Sequence, residues 1–289
     1  MDGKGARPGI GARNDAAPSW TIRPRKGWTS TSIRELWTFR ELLVRFGLRD
    51  ITLRYRQTFL GVIWVVLQPL LGAGVLAFVF GRVANLRAPN HLPYFLYSFV
   101  GMICWTTFSQ VLTRSSMSLV TNAGMIGKVF FPRLILPLST LVSIVLDLLV
   151  SLMILVALMA LDGVSPSSAV IALPLAVLLC ISAGLGLGIL TGALMVRYRD
   201  VGYVVPVFVQ FMLFASPVAY SLDSVPADAR FVYQLNPLAG ALELVRWAAL
   251  STERPSAGLL SYSIASTLVL VIVGLGVFGR MERQFADVL

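Results

Sequence analysis

Long runs of apolar residues, separated by short polar stretches, dominate this chain from residue 58 onward. A helix that crosses the hydrocarbon core of a bilayer needs about 20 mainly apolar residues. Six segments satisfy this requirement, and they lie at 61–81, 93–113, 134–161, 168–195, 201–222 and 258–279. Five of these segments contain no charged residue, and the third contains only Asp147. The pattern predicts an all-α membrane protein with six transmembrane helices.

The remaining segments differ in character. Residues 1–32 are rich in Gly, Pro, Ser and Arg and have no apolar period, which predicts a disordered tail. Residues 33–57 carry a polar stripe at helical spacing, and they predict an amphipathic helix with its apolar side toward lipid or a docking surface for a cytoplasmic partner. Residues 223–257 are too charged to span a bilayer, and they predict either short re-entrant helices at the outer leaflet or a long loop.

Composition and charge exclude several classes of protein. The chain is 56% hydrophobic and 13% charged, whereas about a quarter of the residues in a soluble domain are charged. The net charge of +10 could suggest nucleic acid, but 19 of the 24 Lys and Arg residues fall in 1–57, 114–133, 196–200 and 280–289. These segments share one side of the predicted topology. By the positive-inside rule both termini are cytoplasmic, and the charge predicts no nucleic-acid partner.

No catalytic or nucleotide-binding constellation is present in the sequence. The single histidine, His91, cannot build a triad or a zinc cluster. Cys104 and Cys180 fall inside predicted spans and are expected to act as small buried apolar residues. The run "GMIGK" fails as a phosphate loop, because Asn122 replaces the first Gly and Val129 follows Lys128. If the protein uses ATP, another subunit must bind it.

Two intramembrane features predict contacts between helices. Asp147 is the only ionisable residue well inside a predicted span, and Ser139, Ser143 and Ser151 share its helix face at four-residue spacing. A proton relay would need a second embedded acid or base, so Asp147 is expected to make a polar contact between helices or subunits. The fourth span has glycines at four-residue spacing, which predicts close helix packing; they are Gly184, Gly188 and Gly192.

Aromatic residues concentrate in the first, second and fifth predicted spans, while the third and fourth carry none. Tyr and Trp at span ends often form interfacial belts. A pathway lined by rings is the alternative, because a ring can stack on the C–H face of a sugar while polar groups serve its hydroxyls. The candidate channel-lining residues are Trp64, Phe78, Tyr94, Tyr97, Trp105, Phe108, Phe208, Phe211, Phe214 and Tyr220.

Four motifs resemble those of one transporter family. They are "RDITLRYRQTFLGVIWVVLQPLL" from residue 49, "KVFFPRLILPLS" from 128, "RYRD" from 197 and "SPVAY…QLNPLAG" from 216. Their order over residues 36–285 resembles the permease subunit of bacterial ATP-binding-cassette polysaccharide exporters of the Wzm/TagG-like type. Such proteins export O-antigen, capsular or teichoic-acid polymers.

The resemblance implies a multi-pass permease of the bacterial plasma (inner) membrane, with a six-span type-2 exporter domain over 58–289. The permease would work as a homodimer with two ATPase subunits, which would bind ATP and Mg²⁺, and it would move a lipid-linked glycan. Residues 33–57 would form the interface helix, 118–131 would contain the coupling helix, and 223–257 would form the outer gate. The implied ATPase-coupling residues are Glu41, Arg45, Arg49, Asn122, Met125, Lys128, Phe130, Phe131 and Arg133.

Three alternatives remain open from the sequence. An exporter of a small drug or lipid would share the same superfamily, and a lateral pocket open to lipid would favour it. An ion-coupled secondary transporter should show embedded ionisable pairs and inverted repeats, which the sequence does not display. A membrane scaffold would leave the loop at 114–133 and the helices predicted over 223–257 without a role.

Overall fold

The computed structural model describes residues 33–56, 63–282 and 285, and this part of the chain is built from helices. The tail predicted at 1–32 lies outside the described residues. The α-helices are α1 (Ile33–Thr38), α2 (Arg40–Tyr55), α3 (Ile63–Leu76), α4 (Tyr94–Thr121), α5 (Ala123–Ile126), α6 (Ile135–Leu161), α7 (Leu173–Arg197), α8 (Val201–Ala215), α9 (Ala227–Gln234), α10 (Ala239–Leu250) and α11 (Ala257–Met281). A π-helical segment, Ala77–Val83, continues α3.

Five helical segments among the described residues are long and apolar enough to cross a membrane, and they are Ile63–Val83, Tyr94–Thr121, Ile135–Leu161, Ser168–Arg197 and Ala257–Met281. They correspond to five of the six predicted spans. The fifth predicted span, 201–222, is wrong in its end point, because α8 stops at Ala215 after 15 residues. Ser216 adopts an extended backbone, since Pro217 disfavours helix in the residue before it.

The second predicted span was too short. Helix α4 continues from Tyr94 to Thr121, eight residues beyond the predicted end at 113, so Arg114 lies within the helix rather than in a loop. Arg114 can occupy this position because its guanidinium contacts the carboxylate of Asp147 at 3.6 Å. The mixed loop after α4 contains only the four-residue α5 before Pro132.

Helix α4 is the centre of the bundle, and it is buried along most of its length. Helices α3, α6, α7, α8 and α10 pack around it, while α11 packs on α7. With α8 included, the long helices alternate in direction between two ends of the bundle, so that α7 and α11 run in the same direction. We call the end with α2 and residues 122–133 the α2 end, and the end with α9 and α10 the α10 end.

Glycines bring α7 into close contact with two neighbours. A Cβ atom added at Gly184 would lie 2.8 Å from the carbonyl oxygen of Phe108, and one at Gly188 would lie 2.7 Å from Cβ of Ser115. On another face, a Cβ at Gly186 would lie 2.8 Å from the backbone of Leu270 in α11. Close packing by the predicted glycine motif is therefore confirmed between α7 and α4, and Gly186, which lies outside that motif, adds close packing against α11.

A fully buried arginine organises the α10 end. Arg246 of α10 is 0% exposed, and its guanidinium carbon lies 4.1 Å from the ring centroid of Tyr97. Its Nη2 donates to the carbonyl of Val218 at 2.6 Å, and its Nη1 donates to the carbonyl of Tyr220 at 3.2 Å. Glu243 lies 3.6 Å from the same guanidinium. The segment that follows α8 is therefore held against α4 and α10 by one side chain.

Two residues of α4 complete this arrangement. The hydroxyl of Tyr94 donates to the carbonyl of Ala219 at 2.6 Å, so three successive carbonyls after α8 are occupied by side chains. Gly101 lies directly beneath, and a Cβ at this position would overlap the carbonyl oxygen of Val218. The absence of a side chain at Gly101 is what allows the segment to approach α4.

We expect Arg246→Met to lower the free energy of unfolding by about 3–5 kcal/mol, because it leaves two backbone carbonyls in an apolar surrounding without their cationic donor and removes a buried ion-pair partner of Glu243. The matched control is Arg254→Met, since Arg254 is exposed and only covers the ring of Trp247 at 5.6 Å. The Arg254→Met control should lower the free energy of unfolding by at most about 1 kcal/mol. Thermal unfolding in detergent measures both, and equal losses for the two variants would contradict the buried-clamp account.

Candidate functional site

Helix α2 packs against α6 at close range. A Cβ added at Gly47 would overlap the side chain of Val142, so the two helices meet where α2 has no side chain. The ring of Phe46 meets that of Phe131 edge-on, with centroids 5.7 Å apart. The sequence led us to expect the apolar side of this helix to face lipid. Phe46 instead contacts protein.

The exposed face of α1 and α2 is mixed rather than purely polar. Trp37, Val44 and Leu48 are 69%, 46% and 53% exposed. At helical spacing they share one stripe with Glu41 and Arg45, which are also exposed. A face that combines large apolar side chains with both charges is typical of a protein-docking surface.

Arg49 and Asn122 join α2 directly to the end of α4. Nη2 of Arg49 donates to Oδ1 of Asn122 at 2.8 Å, and the Asn122 amide donates to the carbonyl of Ser118 at 2.8 Å. Arg49 also contacts Asp50 at 3.1 Å and lies over the ring of Phe46. The structure thus brings together two of the residues assigned to coupling by resemblance, and both are half-buried rather than free.

The two neighbouring phenylalanines of the loop after α5 have different positions. Phe131 is 6% exposed within a cluster at the α2 end, whereas Phe130 is 78% exposed. Met125 packs partly against the same cluster, and Lys128 is exposed beside Val129. Phe130 and Lys128 therefore remain available to a partner, and Phe131 belongs to the core.

Arg133 contacts the end of α11. Its Nη1 donates to the carbonyl of Glu282, and its guanidinium lies 5.9 Å from the ring centroid of Phe285. Burial raises the pKa of the Glu282 carboxyl, and the nearby Arg133 lowers it in part. A cation on the last carbonyls of a helix is favourable. Arg133 therefore fixes the position of α11.

Asp147 lies in a charged cluster between three helices. Nη1 of Arg54, from α2, and Nη2 of Arg114, from α4, both contact Oδ2 of this carboxylate. Arg114 also donates to the hydroxyl of Ser143 at 2.8 Å. The sequence identified Asp147 but neither arginine as its partner, because both were assigned to segments outside the spans.

The candidate channel residues divide into three groups. Tyr97, Trp105 and Phe108 are 2–5% exposed inside the bundle, so in this conformation they pack in the core and line no open surface. Tyr94 and Tyr220 are half-buried at the α10 end, with hydroxyls bonded to backbone carbonyls. The exposed members lie on α3, its π-helical continuation and α8, and they are Trp64, Phe78, Phe208, Phe211 and Phe214.

Each of these two helices also exposes a glutamine beside its rings. On α3 and its continuation, Trp64, Gln68 and Phe78 share one exposed stripe. On α8, the exposed stripe runs from Tyr203 through Gln210 to Phe214. The large apolar side chains exposed on α6 are all aliphatic or Met, and they are Val145, Leu146, Leu149, Met153, Val156 and Leu161. We call the exposed stripes of α3 and α8 the ring-and-glutamine face.

Gln68, Tyr203 and Gln210 were missed by sequence reasoning. The predicted pathway rested on aromatic residues, and a single glutamine within an apolar run has no periodic signal of its own. Tyr203 lies near the start of its span, where an interfacial belt is the ordinary interpretation. Only the packing shows that these residues share a face with exposed rings.

Known proteins resemble this chain over most of its length. A sequence model of the ABC-2 type transporter family matches residues 42–250. O-antigen export system permease protein RfbA of Klebsiella pneumoniae is 30% identical over 255 residues, which cover 86% of this chain and 95% of that protein. RfbA of Myxococcus xanthus is 28% identical, covering 88% and 98%. Polysialic acid transport protein KpsM of Escherichia coli is 25% identical, covering 82% and 92%.

We expect Phe131→Ala to lower the free energy of unfolding by about 3–5 kcal/mol, as for other buried Phe to Ala replacements. Phe130→Ala should change it by less than about 0.5 kcal/mol, because its ring makes little contact with the rest of the chain. Denaturant titration of the two purified variants gives both values. A larger loss for Phe130→Ala would show that its ring packs in the protein.

Proposed function

Because this chain belongs to the ABC-2 type transporter family, we propose that it is the permease of an ATP-driven exporter that moves a lipid-linked polysaccharide across the bacterial plasma membrane. The chain matches nearly the whole length of relatives that are named for O-antigen export and polysialic acid transport. Their shared cargo class is a polysaccharide, which supports a glycan as the cargo here.

The ring-and-glutamine face is the observation that carries this proposal. A sugar in a bilayer needs surfaces for its C–H faces and partners for its hydroxyls, and an unpaired hydroxyl costs several kcal/mol in hydrocarbon. Trp64, Phe211 and Phe214 offer rings, while Gln68 and Gln210 offer donors and acceptors. Helix α6, which exposes only aliphatic side chains and Met among its large apolar residues, suits lipid.

A second copy of the chain would complete the pathway. Both helices that carry the ring-and-glutamine face pack on the same central helix α4, so their exposed stripes are open to a partner rather than to the core. A homodimer with this face at its centre would enclose a path lined by rings from both copies. The exposed glutamines would then be removed from lipid.

The α2 end is proposed to face the cytoplasm and to receive two ATPase subunits, which would bind ATP and Mg²⁺. The surface offered to each ATPase would combine the exposed stripe of α1 and α2 with Lys128, Val129 and Phe130. In this orientation α9 and α10 lie at the outer side as short gate helices. The buried Arg246 would hold this gate region together.

A secondary transporter finds less support. Secondary transporters typically carry several embedded ionisable groups along an ion pathway, whereas the carboxylate of Asp147 is held between Arg54 of α2 and Arg114 of α4 where three helices meet. Helix contact is the role that this geometry supports.

Co-purification with an ATPase subunit is the direct test of the proposed function. We expect a stable complex of two permease and two ATPase chains in nanodiscs, with ATP hydrolysis stimulated by a lipid-linked glycan and not by its free lipid carrier. A chain that binds no ATPase, or an ATPase that responds to lipid carrier alone or to small amphipathic drugs, would overturn the polysaccharide assignment.

The ring-and-glutamine face gives a second expectation. Replacing both Phe211 and Phe214 by Ala should raise the glycan concentration for half-maximal ATPase stimulation about tenfold, since each ring contact is worth about 0.5–1.5 kcal/mol. The matched control replaces Leu149 and Met153 of α6, which are similarly exposed. Equal effects of the two double variants would place the glycan path elsewhere.

A further inference from the structure

We propose that Asp147 is a positioning residue for transport: it binds α2 to α4 and α6, so that the three helices move as one body when a partner displaces α2. This inference rests on the proposed function, in which an ATPase acts on α2. It assigns Asp147 a part in the transport cycle beyond a static contact between helices.

The charged cluster joins all three helices at one oxygen atom. Arg54 of α2 and Arg114 of α4 both contact Oδ2 of Asp147, a carboxylate in α6 that is 5% exposed. Ser143, one turn earlier on α6, accepts a further hydrogen bond from Arg114. Asp147 is the carboxylate that both arginines share, so separating α6 from α2 or α4 would break a largely buried ion pair, and the cluster opposes that separation.

Helix α2 is held at a second point as well. Arg49 donates to Asn122 at the end of α4, five residues before the contact that Arg54 makes with Asp147. Five residues correspond to about 7.5 Å along a helix. Gly47, two residues before Arg49, meets Val142 of α6 without an intervening side chain. Helix α2 is thus fixed at two separated points and packs closely against α6. A displacement of α2 is therefore transmitted to its neighbours, because the helix cannot rotate about its own axis.

Helix α3 contributes no charged residue to the cluster. A cleft lined by polar and apolar side chains lies beside Asp147, and Val65, Gln68 and Pro69 of α3 form part of its wall. Because Pro69 has no N–H, the carbonyl of Val65 lacks its helical donor at this wall. The charged contacts of Arg54 therefore lead to α6 and α4, while α3, which carries part of the ring-and-glutamine face, packs on these two helices outside the cluster.

The experiment separates transmission of movement from stability. Asp147→Asn and Arg54→Gln each break the contact between α2 and α6, and the double variant removes both of these charges while Arg114 keeps the Ser143 hydroxyl as a partner. Arg56→Gln is the matched control, because Arg56 is exposed at the end of the same helix. For each variant we would measure the unfolding temperature, ATP hydrolysis and glycan translocated per ATP in the reconstituted complex.

The double variant decides the question. We expect it to regain most of the wild-type unfolding temperature while glycan translocated per ATP stays about tenfold below wild type, a reduction typical of a lost coupling between sites. Arg56→Gln should match wild type in every measurement. If the double variant recovers translocation together with stability, Asp147 is only a structural contact. Normal translocation by Asp147→Asn would also overturn the inference.

A spin-label measurement provides a readout that does not depend on activity. Labels at Leu53→Cys and Leu149→Cys, two exposed positions, in a chain with Cys104 and Cys180 replaced by Ala, report the distance between α2 and α6. The distance should stay constant between nucleotide-free and ATP-trapped complexes in the otherwise native chain, and should change in Asp147→Asn. A distance that changes in both would overturn the inference. A native complex that neither forms nor responds to glycan would instead count against the proposed function.

Discussion

The structure depends on the rule that a polar group buried in an apolar helical bundle must find its partners inside the protein. Arg246 shows the rule at the α10 end. Its guanidinium is fully buried, so it contacts two backbone carbonyls, a ring and a carboxylate instead of solvent. Pro217 ends α8, Arg246 holds the chain after it against α4, and Gly101 leaves room for the Val218 carbonyl that Arg246 binds. The opposite end follows the same rule through Asp147 and its two arginines.

Much of the fold could be predicted because it is local. Apolar length located five long helices to within a few residues at most of their ends, and glycine spacing predicted the close packing of α7. The errors arose where distant residues compensate for a local cost. Arg114 interrupts an apolar run and so was assigned to a loop, yet a carboxylate on another helix satisfies its charge. No periodicity reveals that partnership.

The candidate site was less predictable for a related reason. An amino-acid sequence shows which helices carry rings, but the side of each helix that faces the core depends on packing. Trp105 and Phe108 therefore fill the interior, whereas Phe211 and Phe214 remain exposed on a helix that has few neighbours. The same holds for the adjacent Phe130 and Phe131. Consecutive residues on an irregular segment point in different directions, so a motif containing both rings cannot tell which of them is free.

The exposed apolar residues at the α2 end have a consequence for the cell. In the proposed orientation Trp37, Val44, Leu48 and Phe130 face the aqueous phase until an ATPase subunit covers them. Proteases and chaperones that recognise exposed apolar surface would then distinguish an unassembled subunit from an assembled one. Production of this chain in excess of its partner would shorten its lifetime. The abundance of the transporter would thus follow whichever of the two proteins is scarcer.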